Sequence, residues 1–131
     1  MPRRGDIPRW EEVNPDEIDY LASDGVATGY ERDLGAVSHQ IETTEAQVRS
    51  LLSQLGIPIG SDPVDVSIPQ HRQFRDPYSF HLVSRVRTAQ RNLENRRRRF
   101  CELYALHRAK KQRLREEVKK ASEKDDEADT G

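Results

Sequence analysis

YERDLGAVSHQIETTEAQVRSLLSQLG, residues 30–56, is the stretch that decides the fold. Within it Leu34, Val37, Ile41, Thr44, Val48, Leu51 and Leu55 follow one another at alternating intervals of three and four residues. That is the spacing of a heptad seam on an amphipathic helix. Gly35 weakens the first turn, and Gly56 followed by Pro58 supplies a C-terminal stop. The spacing predicts a helix over 30–56 whose stripe packs on the rest of its own chain.

On the C-terminal side, residues 57–76 are broken by prolines and glycines around Val64-Asp65-Val66-Ser67-Ile68, whose alternation suits one short strand. No second strand is available to pair with it, so 57–76 reads as an ordered Pro/Gly connector. Asp76-Pro77 then opens another helix with a cap and a proline at the first helical position. Nothing breaks it before Ser122, which predicts a long basic helix over 77–122. At 1.5 Å per residue it spans about 70 Å, against about 40 Å for the helix before it.

That mismatch sets the first structural expectation. Folded back as a helical hairpin, the shorter helix covers the longer one only to about Arg98. The hairpin seam is then Leu34, Val37, Ile41, Val48, Leu51 and Leu55 against Leu82, Val86 and Leu93. Past Arg98 the apolar repeat continues every seven residues through Phe100, His107 and Leu114, with Leu82, Ala89 and Leu103 in a companion row that Arg96 and Lys110 interrupt. Apolar residues on an uncovered helix argue for another chain, so Phe100, Leu103 and Leu114 are expected to form a partner seam.

The flanks are simpler. Residues 1–13 form a polar arm broken by Pro2, Gly5 and Pro8, with Trp10 its one anchor. Asn14-Pro15-Asp16-Glu17 starts a short helix over 14–25 that Gly25 ends, and 123–131 is an acidic tail expected to be disordered. The fold class predicted is all-α: an elongated helical hairpin or coiled coil, with a short N-terminal helix and flexible termini.

Composition agrees with an elongated rather than a round molecule. Of 131 residues, 34% are hydrophobic and 34% charged, and 6% are aromatic, which limits the core one domain can bury. The net charge of −1 conceals an asymmetry: residues 1–65 sum to −8 and residues 66–131 to +7, with +11 concentrated in 66–120. Such a split favours attraction between the halves, or a basic segment meeting an acidic partner. No apolar run approaches the roughly 20 residues of a membrane span, and one cysteine allows no intrachain disulfide. The chain is therefore expected to be intracellular, either cytoplasmic or nuclear, and to have no membrane partner.

The strongest candidate for chemistry is the basic patch Arg96, Arg97, Arg98 and Arg99, continued by Arg108, Lys110, Lys111, Arg113 and Arg115. Guanidinium groups pair bidentately with phosphate, and a basic helix can track a nucleic-acid backbone. The competing reading pairs these side chains with the acidic half of the chain or with a partner's carboxylates. A basic helix running into a leucine repeat resembles a basic-region leucine zipper, with Asn95 before the arginines and Cys101 after them. The match fails at Glu102, where that pattern needs arginine, and at the missing leucine heptad beyond Leu114. His39, His71, His81 and His107 share no three- or four-residue spacing, so no metal site is expected. No phosphate loop, nucleophile elbow or acid–base pair appears, and neither a catalytic residue nor a cofactor site is assigned. The expected function is a non-enzymatic structural or adaptor protein that assembles into a homo- or hetero-oligomer. The alternative is a nucleic-acid-binding accessory protein of the packaging or ribonucleoprotein-assembly type.

Overall fold

The computed structural model describes residues 7–13, 25–60, 62–68 and 76–129, with side chains through residue 122. Among the described residues it is all-helical, with no strand: a 3-10 turn at Trp10–Glu12, helix α1 at Glu31–Gln54, a 3-10 turn at Pro63–Asp65 and helix α2 at Pro77–Asp129. The short helix expected over 14–25 falls almost wholly outside the described residues. The segment Val64 to Ile68 holds part of a 3-10 turn instead of a strand, because Pro63 fixes a helical φ and no edge lies beside it. Helical backbone also continues past Ser122 to Asp129, where a disordered tail was expected. Those residues are mostly acidic, with Asp the commonest, and no proline or glycine stands among them, so nothing local breaks the helix.

The helix ends follow local chemistry. Gly56 adopts a left-handed φ of 70°, its amide donates to the Ser53 carbonyl at 2.9 Å and the Ile57 amide donates to the Leu52 carbonyl at 3.0 Å. This pair of bonds closes α1 on a glycine cap, with Ile57 and Leu52 both buried beneath it. At the start of α2 the Asp76 carboxylate accepts from the Ser79 amide at 3.0 Å. Hydrogen bonds from the side chain and backbone of Ser79 hold that carboxyl below its usual range, and Pro77 occupies a position whose N–H has no helical partner.

Two compact units divide the chain: Val37–Arg99, and the segments Met1–Ala36 with Phe100–Gly131. In the first unit the two helices pack against each other. Ile41, Thr44, Val48, Leu51 and Leu52 of α1 are buried, as are Leu82, Val86, Ala89 and Leu93 of α2. Each fully buried Val or Leu contributes roughly 1.5–3 kcal/mol by leaving water. Val37 and Leu55 are only half-buried. Leu52, one residue off the expected seam, is fully buried, so the apolar face is wider than the strict heptad line. The connector is held down by Gln90, whose side-chain amide donates to the carbonyls of Pro63 and Val66, each at 2.9 Å. Pro63 and Ile57 are buried, which gives the connector a small apolar foot of its own.

In the second unit Leu34 and Phe100 are completely buried, and Val13, Cys101, Leu103 and Ala105 are nearly so. Trp10 stands edge-on to Phe100, with ring centroids 5.8 Å apart and planes at 81°. That geometry sets the positive ring edge against the negative ring face. The polar arm is thus a docked segment from Ile7 to Val13, turned by a hydrogen bond from the Arg9 amide to the Glu12 carboxylate at 3.3 Å.

Candidate functional site

The four consecutive arginines do not share a face. In the Val37–Arg99 unit, Arg96 donates to the Thr44 hydroxyl, which itself donates to the Gln40 carbonyl at 2.7 Å. Arg97 is buried, with one guanidinium nitrogen 2.6 Å from Asp62 and another 3.8 Å from Glu45. Burial alone would raise the Asp62 carboxyl. The Arg97 guanidinium and the Val64 amide, which donates to it at 3.1 Å, outweigh that cost and hold it below its ordinary value. Arg98 and Arg99 point outward, and the Arg98 contact to Glu94 is long, 3.9 Å, and well solvated. Arg96 and Arg97 are therefore structural. The outward cations Arg87, Arg91 and Arg98, at intervals of four and seven residues, share a helical face.

In the other unit the expected partner seam is largely consumed by the chain itself. Phe100 is 0% and Leu103 3% exposed. Trp10 of the N-terminal segment packs on Phe100 and Thr28, among the residues that lead into α1, lies against His107, so a single covering helix does not account for this stretch of α2. Thr28, Glu31 and His107 form a buried polar cluster there. The Thr28 hydroxyl accepts from the Tyr30 amide at 3.2 Å, donates to Glu31 at 3.2 Å and lies 2.7 Å from His107 Nδ1. Glu31 accepts from the Thr28 amide at 2.7 Å and the Gly29 amide at 3.0 Å. Burial would push its carboxyl up, but these amides and the hydroxyl prevail and hold it low.

Hydroxyl, imidazole and carboxylate stand together here, yet the carboxylate faces the hydroxyl and the amides, with His107 Nδ1 4.0 Å away. Thr28 is 2% exposed, so no substrate reaches its oxygen. The arrangement is a helix cap locked by a histidine from α2. Its signal stood in the sequence as Thr28-Gly29-Tyr30-Glu31, a hydroxyl residue followed three positions later by glutamate. Cys101 is likewise withdrawn from chemistry: burial, reinforced by Glu11, Glu102 and Glu12, pushes its thiol up to about 11.

The internal cover thins along α2. The Lys110 ammonium lies 5.7 Å from the Tyr30 ring centroid, and Arg108 sits 5.6 Å over Tyr104 of its own helix. Beyond them Arg113, Arg115, Glu116 and Glu117 are exposed, Lys111 and Leu114 are half-buried, and Val118 is 60% exposed. Leu114 and Val118 are four residues apart, on the line set by Phe100, Leu103 and His107. An apolar row flanked by Lys110, Lys111, Arg113 and Arg115 is the candidate interaction site.

Among the described residues no group of three His, Cys, Asp or Glu side chains could hold a metal ion, and no helix is long and apolar enough to cross a membrane. Comparison with protein-family models, with curated proteins and with solved structures gave no match.

Proposed function

We propose that this chain is a non-enzymatic structural or adaptor protein, intracellular, that assembles with other chains through the later part of α2. The two helices of the Val37–Arg99 unit form a helical hairpin of coiled-coil type in this reading. One observation carries the proposal: the apolar line that is buried at Phe100 and Leu103 continues to Leu114 and to Val118, which is 60% exposed. A stripe that keeps its apolar character past its internal cover suits an external one. Light scattering on the nuclease-treated protein at low and high salt tests it. An oligomer is expected at both, reduced to monomer by Leu114→Asp with Val118→Asp while helicity is retained. A wild-type monomer at every concentration overturns the reading.

A second reading, a nucleic-acid-binding accessory protein, is favoured by the outward row Arg87, Arg91 and Arg98. Three phosphate contacts give a log–log salt slope of roughly −2.7 on duplex DNA, and removing two of them by Arg91→Gln with Arg98→Gln lowers its magnitude by about 2. A slope unaffected by these changes rejects the row as a backbone-tracking surface.

A further inference from the structure

The packed helices of the Val37–Arg99 unit leave a polar groove of about 190 Å³ lined by Gln47 of α1 and by Ser84, Arg85, Thr88, Ala89 and Asn92 of α2. The lining contains one cation and four neutral donors, with no carboxylate. None of this is accidental to one side chain. Gln40, Thr43, Gln47, Ser50 and Gln54 follow one flank of α1 at intervals of three and four residues, whereas Glu45 turns to Arg49 and Arg97. On α2 between Pro77 and Arg99 the sole acidic residue is Glu94, which contacts Arg98.

The donors of the groove are also unused. Arg49, Arg97 and Arg98 of the same unit have carboxylate partners; Arg85 has none among the described residues. Thr43 and Thr44 turn their hydroxyls back to the carbonyls of His39 and Gln40. Ser84 and Thr88 make no such bond among the described residues, nor do the amides of Gln47 and Asn92 make any. Arg85 and these four residues line one open groove and are all exposed; a guanidinium, two hydroxyls and two amides are donors suited to the acceptors of a tetrahedral oxyanion, a forked donor for two oxygens and shorter donors for the others. The volume holds such an anion with several waters.

The geometry points to this groove as a phosphate-binding site, with Arg85 as the charged anchor and Gln47, Ser84, Thr88 and Asn92 as orienting donors. It is separate from the α2 segment assigned to assembly, and its ligand is a phosphoryl group, free or carried on a small ester.

The test is an NMR titration of the full chain with inorganic phosphate, at ionic strength fixed by chloride, with parallel arms using glycerol phosphate and a short single-stranded oligonucleotide. Saturable shifts are expected at Gln47, Ser84, Arg85, Thr88 and Asn92. Arg85→Gln weakens phosphate binding about tenfold or more, since charge-assisted hydrogen bonds are lost. Arg32→Gln, the same charge change at an exposed position of α1 outside the groove lining and the outward arginine row, stays within about twofold of wild type. The stronger of the phosphate and glycerol phosphate arms identifies the free ion or the ester as the source. Equal weakening by the two substitutions, absence of saturation, or response to the oligonucleotide alone would overturn the site.

Discussion

Replacing Phe100 by alanine separates an internal core from a partner seam. Phe100 is completely buried, and truncating such a side chain costs about 3–5 kcal/mol when the cavity does not collapse. With a urea dependence of roughly 1–3 kcal/mol per molar, the midpoint falls by about 2 M. Trp10 is the only tryptophan of the chain, and its edge-on contact with Phe100 makes its fluorescence a local reporter. Phe100→Ala should red-shift that emission before unfolding begins. A double-mutant cycle with Trp10→Ala should return a coupling of about 0.5–1.5 kcal/mol, the range for aromatic pairs beyond their buried area. Urea titrations followed by circular dichroism for every variant, and by tryptophan fluorescence for those that keep Trp10, with oligomer size measured at the same concentrations, check all three. A midpoint shift under about 0.5 M together with loss of an oligomer would refute the internal placement and return Phe100 to an intermolecular seam.

Further outcomes follow from the polar contacts. Asp62→Ala removes both the 2.6 Å bond from Arg97 and the acceptor for the Val64 amide; its cost, about 1–3 kcal/mol, should exceed that of Glu45→Gln, whose contact with Arg97 is 3.8 Å, beyond hydrogen-bond length. Thermal melts in the reverse order would contradict the assigned network. Glu31 and Asp62 are both held below their ordinary values of 4.5 and 3.8. Their contribution to stability is therefore complete above about pH 4.5 and is lost as pH falls through the lowered values. Glu31→Gln should flatten the decline in urea midpoint below pH 4.5, and an unchanged decline tells against the cap. Raising the Cys101 thiol from 9.0 to about 11 lowers its thiolate fraction at pH 8 about a hundredfold, so a disulfide reagent should label the native chain at least that much more slowly than the denatured one. Rapid native labelling would deny the burial of α2 at that position.

The all-helical architecture was legible because its signals are local. A three-and-four spacing, Gly56, and Asp76 followed by Pro77 act within a few residues, and each was readable without knowing what packs where. Two kinds of information were not local. The contacts on this part of α2 come from Trp10 against Phe100 and Thr28 against His107, some 80 to 90 positions earlier, and nothing in a heptad pattern names the source of its cover. The division of the arginine run is similar: Arg97 turns inward because Asp62 and Glu45 await it, while Arg98, one residue further round the helix, is exposed and contacts its neighbour Glu94. Composition counts both as one basic patch. The capping signal at Thr28 and Glu31 is present in the sequence but lies ahead of the apolar stripe, which starts at Leu34, so the periodicity does not point to it.

A seven-residue repeat specifies a face and is silent about what lies against it. On α2 that face is answered in two ways that can be read residue by residue. Val86 and Leu93 are fully buried in the unit where the two helices pack, and Phe100 is fully buried in the unit that contains the tryptophan turn. Leu114 and Val118 continue the face without full burial, amid Lys111, Arg113 and Arg115. Solvation alone would favour polar residues at such positions, because an exposed leucine or valine gains nothing in water that glutamine or lysine does not. Retention of the apolar row on an otherwise charged helix is thus the feature that solvation leaves unexplained and that a second chain would satisfy.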